Sequence, residues 1–223
     1  MMSLRIDRAA RWMLPAALLV MSGCQTAYYS TMEKFGVHKR EILVDRVGEA
    51  RDAQEEAKEQ FKSALERFSA VLGFKGGDLQ EKYDQLSKEF ERSEDRAGEV
   101  RDRIVKVEDV AEALFDEWQD ELDQYTNAGL KRSSQQKLTE TKRQYAQLIQ
   151  AMKRAERKIE PVLNAFRDQV LYLKHNLNAR AIASLKGELA GVENNVAALI
   201  RDMERSIREA DRFIQSMNRD QQS

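Results

Sequence analysis

Apolar side chains recur along this chain at alternating steps of three and four residues. One series runs from Leu43 through Val47, Ala50, Gln54, Ala57, Phe61 and Ala64 to Phe68 and Val71. A second runs from Leu79 through Ser93 and Ile104 to Leu114, Trp118 and Tyr125, and a third from Leu138 through Tyr145 and Ile159 to Phe166. The fourth runs from Ile182 through Leu199 and Ser206 to Met217. A strand would alternate every two residues. Steps averaging three and a half keep an apolar stripe on one narrow seam of a helix. Four long helices are therefore predicted, in an all-α fold of the coiled-coil or bundle type.

The breaks between series carry the expected chemistry. "GFKGGD", at 73–78, supplies three glycines free to take left-handed conformations and Asp78 as a helix N-cap. "TNAGLKRSS" offers Asn127 and Gly129 to stop one helix and Ser133 or Ser134 to cap the next. "KHNLNAR", at 174–180, has two asparagines but no glycine or proline, so helices three and four either separate there or fuse into one rod. With the break, segments two to four each run about 40 to 48 residues, or roughly 60 to 70 Å. Matching lengths joined by short turns favour an antiparallel up-down-up-down bundle. Pro161 removes a backbone donor inside the third segment and predicts a kink.

Charge distribution gives the second and third segments a register. Between Val107 and Thr126 lie eight acidic residues and no basic ones; between Lys131 and Lys158 lie nine basic residues against Glu140 and Glu156. Folded back across the turn, the two stretches become each other's partners, which removes the case for a nucleic-acid patch. A hairpin closed near Gly129 places opposite each other residues whose numbers sum to about 260. Leu114 should then face Tyr145 or Leu148, and Glu117 should face Arg143.

Composition agrees with long helices. Charged residues make up 34% of the chain and aromatics only 7%, and just two prolines occur, Pro15 and Pro161.

The first two dozen residues follow another pattern. Arg5, Arg8 and Arg11 precede "WMLPAALLVM", an apolar run of ten residues, then Ser22, Gly23 and the single cysteine, Cys24. A membrane-spanning helix needs about 20 apolar residues, so the run reads as the hydrophobic region of a signal peptide. Met21-Ser22-Gly23-Cys24 resembles the bacterial lipobox, with Met where Leu is commoner. That resemblance implies that the Cys24 thiol takes a diacylglyceryl group, that residues 1–23 are removed, and that the new amino terminus is acylated, typically with palmitate. Gln25, in place of Asp, implies outer-membrane rather than inner-membrane sorting. Losing three arginines and Asp7 with the signal changes the formal charge from −1 to −3, which demands neither nucleic acid nor an anionic surface.

Signatures of chemistry are absent. There is no GxxxxGK[ST], GxGxxG, HExxH or CxxC. His38 and His175 lack metal-ligand spacing, although an up-down bundle is expected to bring them near the same end. The carboxylates are explained by solvated helix faces, and Trp118 by the seam. No enzyme, cofactor or metal site is predicted.

Three blocks go beyond generic coiled coil: "AYYSTMEKFGVHKREILVDRV", "GEVRDRIVKVEDVAEALFDEW" and "DQVLYLKHNLNARAIASLKGEL". They resemble a proteobacterial family known as domain of unknown function 2959. The resemblance spans nearly the whole mature chain and implies a single helical domain with no assigned activity.

The expected organisation is thus a signal peptide at 1–23, an anchor-proximal segment at 24–36 and one helical-bundle domain at 37–223. Tyr28, Tyr29 and Phe35, close behind the anchor, are candidate partner-docking residues. The expected function is a scaffold or protein-interaction role for a periplasm-facing lipoprotein of the outer membrane. A chaperone-like holdase that grips unfolded clients is the alternative, and self-association stays open.

Overall fold

The structure, a computed structural model, describes residues 38–73, 79–176 and 178–221. The chain divides into two units, Met1–Lys39 and Arg40–Ser223. The second is built from four helices: α1 (Lys39–Leu72), α2 (Leu79–Leu122), α3 (Ala128–His175) and α4 (Ala179–Gln221). No strand occurs among the described residues, and the all-α expectation holds.

Polar contacts between neighbouring helices show how the four are arranged. Glu49 and Glu56 of α1 meet Arg103 and Arg96 of α2 at 2.7 and 2.6 Å. On α2, Glu94, Arg101 and Glu108 meet Arg167, Glu160 and Lys153 of α3 at 3.0, 2.9 and 2.6 Å. Ser216 of α4 hydrogen-bonds Gln144 of α3. Arg51 of α1 reaches Asp211 of α4 at 3.1 Å, and Arg40 donates to the carbonyl of Met217 at 2.9 Å. Along the α1–α2, α2–α3 and α1–α4 seams one number rises as the other falls, so neighbours run antiparallel, and the Ser216–Gln144 contact closes the ring of four. The bundle is up-down-up-down.

The α2–α3 register matches the expected one. Phe115 and Tyr145 stack edge-on with centroids 5.4 Å apart, and their numbers sum to 260; the three α2–α3 ion pairs sum to 261. Nearer the turn the offset shrinks, as in Trp118–Ser134 and Asp123–Lys131, because the turn is centred at Tyr125 rather than Gly129. Arg143 is held by Glu140, one turn away on its own helix, at 2.6 Å. The acidic and basic stretches therefore pair only in part across the hairpin.

Both described turns rely on asparagine, and one departs from expectation. Asn127 does not stop α2. Its backbone is extended, and its side-chain oxygen accepts from the Gly129 and Leu130 amides at 2.8 and 3.1 Å, so it caps α3. Ser133 and Ser134 are consequently inside α3, where the Ser134 hydroxyl accepts from the Trp118 indole at 2.8 Å. Between α3 and α4 the break is real: the Asn176 side chain donates to the Tyr172 carbonyl, and the Asn178 side chain caps α4 by accepting from the Arg180 and Ala181 amides. Helices three and four are separate. Pro161 lies on the exposed face of α3, which continues through it. Asp78 lies outside the described residues.

The core follows the seams. All nine positions of the first series, Leu43 to Val71, are buried. In the fourth series only Leu189 is left half-buried, and in the third only Tyr145. The second series frays at both ends: Leu79, Tyr83, Phe90 and Trp118 are half-buried, and Glu121 and Tyr125 are exposed where α2 finishes. A seam is also narrower than what the bundle buries. Ile42, Ala53, Val110, Phe115, Ala151 and Leu163 flank seam positions and are buried too, because each helix packs against two neighbours rather than one.

Candidate functional site

Cys24, Tyr28, Tyr29 and Phe35 all lie outside the described residues, so the predicted lipidation site and docking strip have no described geometry. The described residues carry the polar chemistry of the bundle and its two ends.

One carboxylate is drawn inside. Glu89 on α2 is 5% exposed, and its charge is met from both sides of the α1–α2 seam. Arg67 of α1 reaches it at 2.9 Å and Arg92 at 3.0 Å, and the Gln60 amide donates to it at 2.9 Å. A buried carboxylate needs such partners, since desolvation without them is very costly. Beside it is a crevice of about 10 Å³, one water's worth, lined by Phe68, Leu86, Phe90 and Phe166. Phe68 and Phe166 lie with centroids 6.4 Å apart. The arrangement ties α1 to α2 and offers no room for a substrate. Periodicity alone could not find it, because Glu89 sits one residue off the seam.

A second polar feature is unpaired. Gln54 on α1 and Ser206 on α4 are both fully buried, and neither the Gln54 amide atoms nor the Ser206 hydroxyl has a hydrogen-bond partner. Their numbers sum to 260, close to the 262 of the Arg51–Asp211 pair, so they occupy the same level of the α1–α4 seam.

Tyr145 and Glu49 titrate away from their ordinary values for clear reasons. Burial raises the Tyr145 phenol, and Glu108, Glu112 and Asp109 add to the rise. For Glu49, burial pushes upward, but the hydrogen bond and charge of Arg46 with the charges of Arg103 and Lys106 outweigh it and hold the carboxyl below the usual range.

The two histidines are far apart, contrary to expectation. His38 precedes α1, whose start is tied to Met217 and so lies level with Gln144 on α3. His175 ends α3, 31 residues further on, or roughly 46 Å along the helix. The direction of each helix puts them at opposite ends. Among the described residues no group of three or more His, Cys, Asp or Glu could hold a metal ion, and no helix is long and apolar enough to cross a membrane.

A family model described as "Protein of unknown function (DUF2959)" matches residues 28–217, which takes in all of α1, α2 and α3 and most of α4. The chain belongs to the DUF2959 family. The match starts at Tyr28, so the family's extent includes Tyr28, Tyr29 and Phe35 together with the bundle. No curated protein and no solved structure matches the chain.

Proposed function

We propose that this DUF2959 member is a bacterial envelope lipoprotein, anchored in the outer membrane by lipid on Cys24, whose helical bundle faces the periplasm as a scaffold or protein-interaction module. The observation that carries the reading is "LLVMSGC" behind Arg5, Arg8 and Arg11. The basic start, the short apolar run and the small residues before a lone cysteine leave that thiol few other uses. On this reading residues 1–23 are removed, 24–36 form the anchor-proximal segment and 37–223 the bundle domain. Two or three acyl chains hold a protein stably on a membrane, at about 0.8 kcal/mol per buried methylene.

Seam burial favours the scaffold over the holdase. A protein that grips unfolded clients must offer apolar surface, whereas here the seams turn inward and the exposed large apolar residues among those described are Val105, Tyr125, Leu130, Leu171 and Tyr172. The partner on this reading is another envelope protein.

Cys24→Ser tests the anchor. It should leave full-length precursor, abolish incorporation of labelled palmitate and release the protein from the membrane fraction. Unchanged fractionation and mobility in that variant would sink the proposal, and recovery of the wild type with inner-membrane vesicles in a density gradient would refute its outer-membrane part.

A further inference from the structure

Among the described residues the α2–α3 hairpin reaches beyond α1 and α4 at one end. From the Arg103–Glu49 pair, α2 runs another 19 residues to Leu122, whereas α1 runs only ten back to Lys39. From the Gln144–Ser216 contact, α3 runs 16 residues back to Ala128, whereas α4 runs only five on to Gln221. The overhang is nine residues of α2 and 11 of α3, roughly 14 to 17 Å at 1.5 Å per residue. At its tip stand Tyr125 and Leu130, 40% and 60% exposed, on either side of the Asn127 cap.

This end is also the one at which the chain arrives from Cys24, because α1 begins here. Fourteen residues separate Cys24 from Lys39, and however they fold they span at most about 48 Å. We propose that the hairpin tip rests in the headgroup layer of the bilayer that holds the lipid anchor, with Tyr125 and Leu130 inserted. The proposal rests on the lipoprotein reading above and adds a second point of contact to it.

Three observations select lipid as the occupant. Two side chains offer far less than the roughly 1,200 Å² a stable protein interface buries. They suffice at a membrane surface because the anchor supplies a high effective concentration, and tyrosine is at home at that depth. Charge selects the headgroup. Residues 119–132 carry Asp120, Glu121 and Asp123 against Lys131 and Arg132, and Lys131 is already paired with Asp123 at 3.2 Å. A near-neutral tip is suited to zwitterionic headgroups and gains nothing from anionic ones. Leu171 and Tyr172, exposed near the end of α3, are at the opposite end of the bundle and are held away from the bilayer.

The test uses the mature lipoprotein in phosphatidylethanolamine–phosphatidylcholine vesicles. Lipid occupies the only native thiol, so Leu130→Cys or Leu171→Cys provides a single attachment point for an environment-sensitive dye. Both positions are exposed, so the core is untouched. Spin-labelled lipid should quench the dye at 130 at least threefold more than at 171, and one-fifth anionic lipid should leave that ratio unchanged. Equal quenching at both positions in protein that still floats with the vesicles overturns the tip contact alone. Quenching at 130 that appears only with anionic lipid overturns the zwitterionic assignment. Wild-type protein that neither floats nor carries lipid on Cys24 overturns the anchor, and the tip contact falls with it.

Discussion

Gln54→Met should make the bundle more stable. Gln54 is wholly buried on the first seam, and both its amide nitrogen and its amide oxygen lack a partner. A buried polar group left unsatisfied costs about 1–3 kcal/mol. Methionine follows the same unbranched path with a flexible thioether, so it removes the penalty while filling nearly the same volume. Ser206, at the same level on α4, stays behind unpaired, which limits the gain to about 1–2 kcal/mol. For a domain of this size each kcal/mol moves the melting temperature by about 2–4 °C, so a rise of roughly 2 to 8 °C is expected. Urea and thermal unfolding of a soluble form beginning at Gln25 would measure it, with Ser206→Ala as a companion expected to shift stability the same way and by less. Because no hydrogen bond links the two residues, the double variant should be additive within about 0.5 kcal/mol. Loss of 1 kcal/mol or more in Gln54→Met, with strong coupling to Ser206→Ala, would refute the reasoning. It would mean that a buried water bridges the two groups in solution.

The hairpin register predicts that Phe115→Cys with Tyr145→Cys, or a pair one turn either side whose Cα atoms lie within about 7 Å, oxidises within one monomer; covalent dimers at every such pair would instead mean packing between chains. Asn127→Ala removes the two hydrogen bonds that cap α3 and should cost about 1 kcal/mol in urea unfolding; no change would mean that α3 starts elsewhere. Glu49 has a folded-state pKa below its unfolded value of about 4.3, so its contribution is present above that pH and disappears as pH falls through the folded value. Its side chain is 37% exposed, which limits the contribution to under about 1 kcal/mol; Glu49→Gln should narrow the stability difference between pH 7 and pH 3 by that much, and an unchanged difference would contradict the ion-pair account.

Helices and seams were legible in the sequence because they follow from a local rule. Steps of three and four keep side chains on one face whatever surrounds them, and the first series is buried at every position from Leu43 to Val71. The hairpin register was legible away from the turn, where Phe115 meets Tyr145, although the turn itself is centred at Tyr125 rather than Gly129. The resemblance of Met21-Ser22-Gly23-Cys24 to a lipobox could be read only in the sequence, because such a pattern is linear.

Tertiary structure decided whatever depends on two helices at once. Asparagine can end a helix or cap the next, and only the extended backbone at Asn127, with its side chain turned to the Gly129 and Leu130 amides, chose the cap. Glu89 looked like one more solvated carboxylate until the fold set Arg67 and Gln60 of α1 against it. His38 and His175 lie at opposite ends because α1 and α3 run the same way, which the predicted up-down order already implied. The overhang of the α2–α3 hairpin, by contrast, is a difference between helix lengths measured from shared contacts. A seam records which face of a helix avoids water, but the level at which its neighbours start and stop is set only when all four pack together.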